Sequence, residues 1–128
     1  MSKETNGFLS MLDGASTHPL GPDAESIAST ARDRKASMAE RLEAYEDLID
    51  SEVGDTQMSR ARNIERIDGL RQIYLKFEGG NPTGTQKDRI AFAQVMDALR
   101  RGFDTVTLAT CGNYGAAMAL AASAAGLD

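Results

Sequence analysis

Among the side chains able to do covalent chemistry, Lys87 has the most informative setting. It falls in the run Asn81-Pro82-Thr83-Gly84-Thr85-Gln86-Lys87-Asp88-Arg89, after an alternating segment that ends at Phe77 and Glu78. Residues 79–84 punctuate as a loop, and Thr85 with Asp88 three residues on predicts a helix N-cap and capping box. Lys87 is thereby expected in the first turn of a helix. The positive end of the helix macrodipole disfavours an ammonium there by roughly 0.3–1 kcal/mol. That bias favours the neutral amine, the form that attacks a carbonyl to make a Schiff base. On position alone, a solvated lysine at a helix start is the plainer reading.

A second stretch, Thr110-Cys111-Gly112-Asn113-Tyr114-Gly115, follows a β-branched segment and precedes an alanine-rich one. A loop between a strand and a helix turns its backbone N–H groups outward at the helix N-terminus, which makes an anion site. A tight turn with glycines chosen for backbone freedom is the plainer reading, and the two are compatible. The spacing does not make the Gly-x-Gly-x-x-Gly of a dinucleotide-binding loop.

Taken together, residues 81–89 and 110–117 resemble the lysine motif and the substrate loop of the pyridoxal phosphate-dependent fold type II family. That family includes threonine synthase, cysteine synthase, the tryptophan synthase β subunit and threonine dehydratase. Phe77-Glu78-Gly79-Gly80 leans toward the threonine synthase branch. The resemblance implies pyridoxal 5'-phosphate held covalently through Lys87, which is then also the catalytic base at the α-carbon. It implies that Asn113 hydrogen-bonds the cofactor's 3′ oxygen. It also implies that Thr110, Cys111, Gly112, Asn113 and Tyr114 receive the α-carboxylate of an amino-acid substrate, before elimination or replacement at the β or γ carbon. This sequence has Gln86 where Phe is common, Cys111 where Ser is usual and Tyr114 where Thr or His is usual. These departures bear on packing beside the cofactor and on which substrates fit. Asp88 and Arg89 are read as fixing the helix start through capping and ion pairing.

The resemblance spans residues 54–127 and only the N-terminal portion of a family member. The glycine-rich loop that binds the cofactor's phosphate is absent from this chain, as is the Ser or Thr that meets the pyridine nitrogen. A fragment or split gene product is therefore expected, with little turnover alone. Its expected partner is a complementary C-terminal portion or a second copy. The rival, of a different class, is a non-catalytic assembly or binding module that keeps the motifs as relics.

The elements that must position these residues can be read along the chain. Its 128 residues suit one domain at most. An irregular tail is expected over 1–22, containing His18, and an amphipathic helix over 23–50, broken near Ser37. Residues 51–128 are expected to form the incomplete catalytic domain. Strands are predicted over 56–60 and 72–77, the second with Ile73, Leu75 and Phe77 on one face, and 62–71 reads as a polar connection. In the resembling family those two strands pair with the larger, later domain, so here their edges are expected to be open. Helix 85–101 should present Ile90, Ala93, Val95 or Met96, and Leu99 inward. A buried parallel strand over 104–109 and a helix over 114–125 follow. The expected class is α/β, a three-layer αβα arrangement with parallel strands and right-handed crossover helices, truncated before the second domain.

A net charge of −5 without a Lys/Arg cluster argues against a nucleic-acid partner. The single cysteine, Cys111, excludes an internal disulfide, and with only His18 beside it no zinc site can be assembled, so no metal is expected. No apolar run reaches membrane-spanning length and no signal-peptide order opens the chain, so a cytoplasmic protein away from membranes is expected.

Overall fold

A computed structural model describes Leu20 and residues 22–128. The tail expected over 1–22, with His18, otherwise lies outside the described residues. The elements are α1 (Pro22–Arg32), α2 (Met38–Glu52), β1 (Met58–Arg60), α3 (Arg62–Asp68), β2 (Tyr74–Lys76), a 3-10 turn (Glu78–Gly80), α4 (Lys87–Arg100) and α5 (Asn113–Ala125). No helix among the described residues is long and apolar enough to cross a membrane.

The amphipathic stretch 23–50 breaks where Ser37 can cap. Ser37 Oγ accepts from the Glu40 N–H at 3.3 Å and Glu40 Oε2 accepts from the Ser37 N–H at 2.8 Å, a reciprocal box that starts α2. α1 buries Ala24, Ala28 and Ala31, spaced as one helical stripe, and the small side chains let α2 and α5 approach closely. Tyr45 of α2 is fully buried and stacks on Phe92 of α4, with ring centroids 5.9 Å apart and planes 16° from parallel. Its hydroxyl donates to the Ala121 carbonyl of α5 at 3.1 Å, and burial pushes the phenol up from its ordinary range. One side chain thus joins three helices.

The inward face of α4 is Ala91, Phe92, Val95 and Leu99, so Val95 and Leu99 face inward as expected, while Ala91 and Phe92 are buried in place of Ile90 and Ala93. Ile90, expected inward, is 47% exposed, because the helix turns its largest side chain, Phe92, onto Tyr45. Gly102, at φ 78°, ends α4 with the paired bonds of a Schellman motif, Phe103 N–H to Ala98 O and Gly102 N–H to Leu99 O, both 3.0 Å. Gly126 ends α5 in the same way.

The strands differ from expectation. β1 and β2 pair with each other, antiparallel, with Ser59 opposite Leu75. The face of Ile73, Leu75 and Phe77 is not buried: Leu75 is 54% and Phe77 65% exposed, since no layer covers this small sheet among the described residues. The connection read as polar coil contains α3, closed by Gly69 in the left-handed region at φ 66°. Residues 104–109 are extended, but only Val106 is half-buried and the rest are exposed. They nevertheless begin a parallel pairing. Asp128 N–H donates to Asp104 O and Val106 N–H donates to Asp128 O, each at 2.8 Å, the slanted pair of a parallel bridge with α5 as the connection. Among the described residues the sheet is two-stranded and antiparallel, and no three-layer stack is formed.

The Tyr45 junction sets the helices' mutual positions, so its two rings should contribute unequally. Phe92→Ala, which opens a cavity, is expected to lower the unfolding free energy by about 3–5 kcal/mol. Tyr45→Phe, which removes one hydrogen bond, should cost about 0.5–1.5 kcal/mol. Urea unfolding followed by far-ultraviolet circular dichroism measures both, and a negligible effect of Phe92→Ala would remove this junction from the core.

Candidate active site

The turn that carries Lys87 is built from polar bonds, because the preceding residues offer glycines and short side chains and little to bury. Asn81 is 4% exposed. Its Oδ1 accepts from the Gly54 N–H at 2.9 Å, and its Nδ2 donates to Glu78 O and to Glu78 Oε2, each at 2.9 Å. Asp88 is fully buried at the head of α4. Its carboxylate accepts from the Thr83 N–H at 2.9 Å and from Thr83 Oγ1 at 2.7 Å. The capping box read from Thr85 and Asp88 is therefore rearranged. Thr85 Oγ1 accepts from the Lys87 N–H at 3.2 Å, while Asp88 turns to Thr83, whose N–H and hydroxyl both donate to its carboxylate.

Arg89 anchors the same turn from its other side. Nε donates to Glu78 Oε2 at 2.7 Å and Nη2 to Glu78 Oε1 at 2.9 Å. Nη2 also reaches Gly54 O at 2.8 Å, and Thr56 Oγ1 braces Glu78 Oε1 at 3.0 Å. Gly54 has φ 95°, and a Cβ there would lie 2.5 Å from Arg89 Nη1, so glycine is required for the guanidinium's approach. The Arg89 guanidinium, with help from Asn81 and Thr56, pulls the Glu78 carboxyl down from 4.5 to about 2.

Lys87 is half-buried, and its Nζ makes no hydrogen bond or ion pair among the described residues. Lys76, by contrast, donates to Thr56 O at 2.6 Å, and Lys35 is exposed. Seven residues along α4, on the same stripe and roughly 10 Å further, Gln94 accepts a hydrogen bond from the Tyr114 hydroxyl in the first turn of α5. The middle of α4 is thus tied to the head of α5. An open groove of about 810 Å³ runs beside this tie, lined by Ile90, Gln94, Phe103, Tyr114 and Met118 among others, but by neither Lys87 nor Asn113.

In the second loop, Thr110, Cys111, Gly112 and Asn113 are exposed and Tyr114 is half-buried. Thr110 Oγ1 accepts from the Gly112 N–H at 3.3 Å and the Gly115 N–H at 3.0 Å, capping α5. Its hydroxyl hydrogen remains available to donate. A Cβ on Gly115 would fall 2.4 Å from Thr110 Cγ2, so that glycine serves close approach rather than backbone freedom. Gln94 is a residue near the site that sequence reasoning did not name, and Glu78 and Gly54, named only within motif runs, were given no role there. The signal that could have found Gln94 is its place seven residues on from Lys87, on the same helical stripe.

Lys87 heads α4 with an amine that has no partner among the described residues, and the loop 110–113 leads into α5. The chain belongs to the pyridoxal-phosphate dependent enzyme family, whose model matches residues 49–128. It is 34% identical over 89 residues to a threonine synthase of Methanosarcina acetivorans, covering 70% of this chain and 22% of that protein. It is 33% identical over 82 residues to cysteine synthase B of Escherichia coli, covering 61% and 27%. It is 39% identical over 83 residues to tryptophan synthase beta chain 2 of Thermococcus kodakarensis, covering 62% and 19%. The chain therefore spans 22%, 27% and 19% of the length of these curated relatives. No solved structure gives a significant match. The described residues, helices with a small sheet, are compatible with part of a fold type II domain. Pyridoxal phosphate is the family's cofactor, carried on a lysine. The donor set fits it: one half-buried amine with no competing partner, and an exposed loop of N–H groups and amide.

Glu78 loses its charge only in strong acid. Because its folded value lies below its ordinary one, its contribution is fully present above pH 4.5 and is lost as the pH falls through about 2. Carbon-13 titration of the Glu78 carboxyl should show a midpoint near 2, moving up toward 4.5 in Arg89→Gln; a midpoint already at 4.5 in the native chain would contradict the bidentate pairing.

Proposed function

We propose that this chain is the N-terminal part of a pyridoxal phosphate-dependent enzyme of amino-acid metabolism, threonine synthase-like, in which Lys87 holds the cofactor and moves the substrate's α-proton. The observation that carries this reading is the half-buried, unpartnered Lys87 amine on the α4 stripe that Gln94 shares, with Gln94 tied to the head of α5. When bound, the cofactor supplies an electron sink for charge developing at the substrate's α-carbon. Lys87 would supply the amine that holds the cofactor and a base for the substrate's α-proton. The α5 head presents backbone N–H groups to a carboxylate, and Thr110 adds a hydroxyl donor while its lone pairs hold the loop closed. Asn113 is the residue whose amide would hold the cofactor's ring oxygen. Tyr114, larger than the family's usual residue and tethered to Gln94, narrows the range of side chains admitted.

The same reading places residues 104–109 in a parallel sheet of a three-layer αβα domain, supported by the bridge from Asp128. A complementary C-terminal portion, from the same gene or another, supplies the phosphate loop, and the isolated chain turns over little. The setting is the cytoplasm, where the family's amino-acid substrates are handled.

Incubation with pyridoxal phosphate followed by borohydride reduction and peptide mapping tests this. Label should concentrate on Lys87 and vanish from that peptide in Lys87→Ala, while Asn113→Ala weakens the visible absorption of the bound cofactor. Label spread evenly over Lys35, Lys76 and Lys87 would favour a non-catalytic module and reject the proposal.

A further inference from the structure

We infer that the Glu78–Arg89 ion pair is a positioning device for the Lys87 amine, locking the rotation of the first turn of α4 against the segment 54–56. The inference rests on the reading of Lys87 given above. It begins from a weakness of that turn. The first N–H groups of a helix lack intrahelical partners, and Gln86, in the N-cap position, gives no side-chain bond. Asp88 and Thr83 tie the turn only to its own loop. Arg89 is the side chain that ties it elsewhere, to Glu78 through two bonds and to Gly54 across 35 positions of chain.

Direction matters as much as attachment. Two residues along a helix turn the side chain by about 200°, so Arg89 and Lys87 project from nearly opposite sides of the same turn. Anchoring one side fixes where the other points. The guanidinium fork is suited to this, because two parallel bonds to one carboxylate set an angle as well as a distance, which an ammonium does not. Around the pair, every flanking group is committed: Asn81 and Thr56 to Glu78, and Gly54 O to Arg89. Gly54, with no Cβ, admits the guanidinium. The device is therefore built from three separate stretches, 54–56, 78–81 and the first turn of α4, that converge at this pair.

The test reads the amine with and without cofactor in the full chain. Reductive methylation with carbon-13 formaldehyde places a resolved signal on each lysine, and the Lys87 signal should stand apart from that of exposed Lys35. In Glu78→Gln and in Arg89→Lys it should move to the Lys35 position. The exchanged pair Glu78→Arg with Arg89→Glu should recover part of the native shift, which a purely steric role for either residue would not produce. Thr56→Val, which removes only a brace, should move the signal less and keeps the test open should the charge variants unfold. In parallel, borohydride trapping of pyridoxal phosphate should lose its preference for Lys87 in the single variants and regain it in the exchange. An unmoved Lys87 signal in folded Glu78→Gln and Thr56→Val overturns the positioning role. A signal that responds to these variants while no form of the chain traps cofactor at Lys87 instead overturns the cofactor reading and leaves the positioning role standing.

Discussion

The head of α4 is the constraint on which the rest of the molecule bears. A helix N-terminus concentrates unpaired N–H groups and positive potential, and this one also holds a fully buried carboxylate, Asp88. A buried carboxylate is tolerated only with donors at its oxygens, which Thr83 provides twice. The same bonds fold the Gly84 loop back against the helix and leave Lys87 as the side chain of the turn with nothing to bind. Polar closure substitutes here for apolar packing, since residues 79–86 contain no large apolar side chain.

Beneath that head lies a core that keeps the helices in fixed relation. Ala117, Ala121, Ala124 and Ala125 give α5 a surface with no long side chains, so its axis can lie close to its neighbours. Tyr45 fills the remaining space, stacked on Phe92 and bonded to Ala121. With the shafts held, Tyr114 with Gln94 ties the head of α5 to the middle of α4. The apolar core thus sets the separation of the two loops, while the polar bonds around Asp88 and Arg89 set the attitude of one side chain within it.

What was legible in the sequence was local. The break at Ser37, the stops at Gly102 and Gly126 and the loop before Lys87 depend on a few adjacent residues whose capping chemistry is specific. What was not legible depended on distant neighbours or close competition. Asp88 takes both donors of Thr83 in place of Thr85. Phe92 took the inward face from Ile90 because Tyr45, far off in sequence, offered a ring to stack on. α3 spans seven residues, too short to show a period. The burial expected of residues 104–109 required covering layers that the described residues do not provide. Glu78 and Arg89 are eleven positions apart with a turn between them, and no periodicity relates them. The family was nevertheless legible, because its two motifs are runs of contiguous residues.

The two kinds of bonding make stability and function separable in this chain. The core is apolar contact between helices, indifferent to a single exposed charge. The clamp on α4 is charge-assisted and partly exposed, with Arg89 41% and Glu78 26% open to solvent, so its contribution to global stability is small. Its geometric effect need not be small, since in the role proposed for Lys87 an amine must meet a carbonyl carbon at a defined angle and distance. A substitution in the clamp can therefore misdirect the amine while the helices stay packed. A substitution at Tyr45 or Phe92 can loosen the whole molecule while leaving every bond around Arg89 chemically possible. Selection on the first kind of change acts through chemistry and on the second through folding, which gives a physical reason for an ion pair of little energetic weight to be built from so many committed partners.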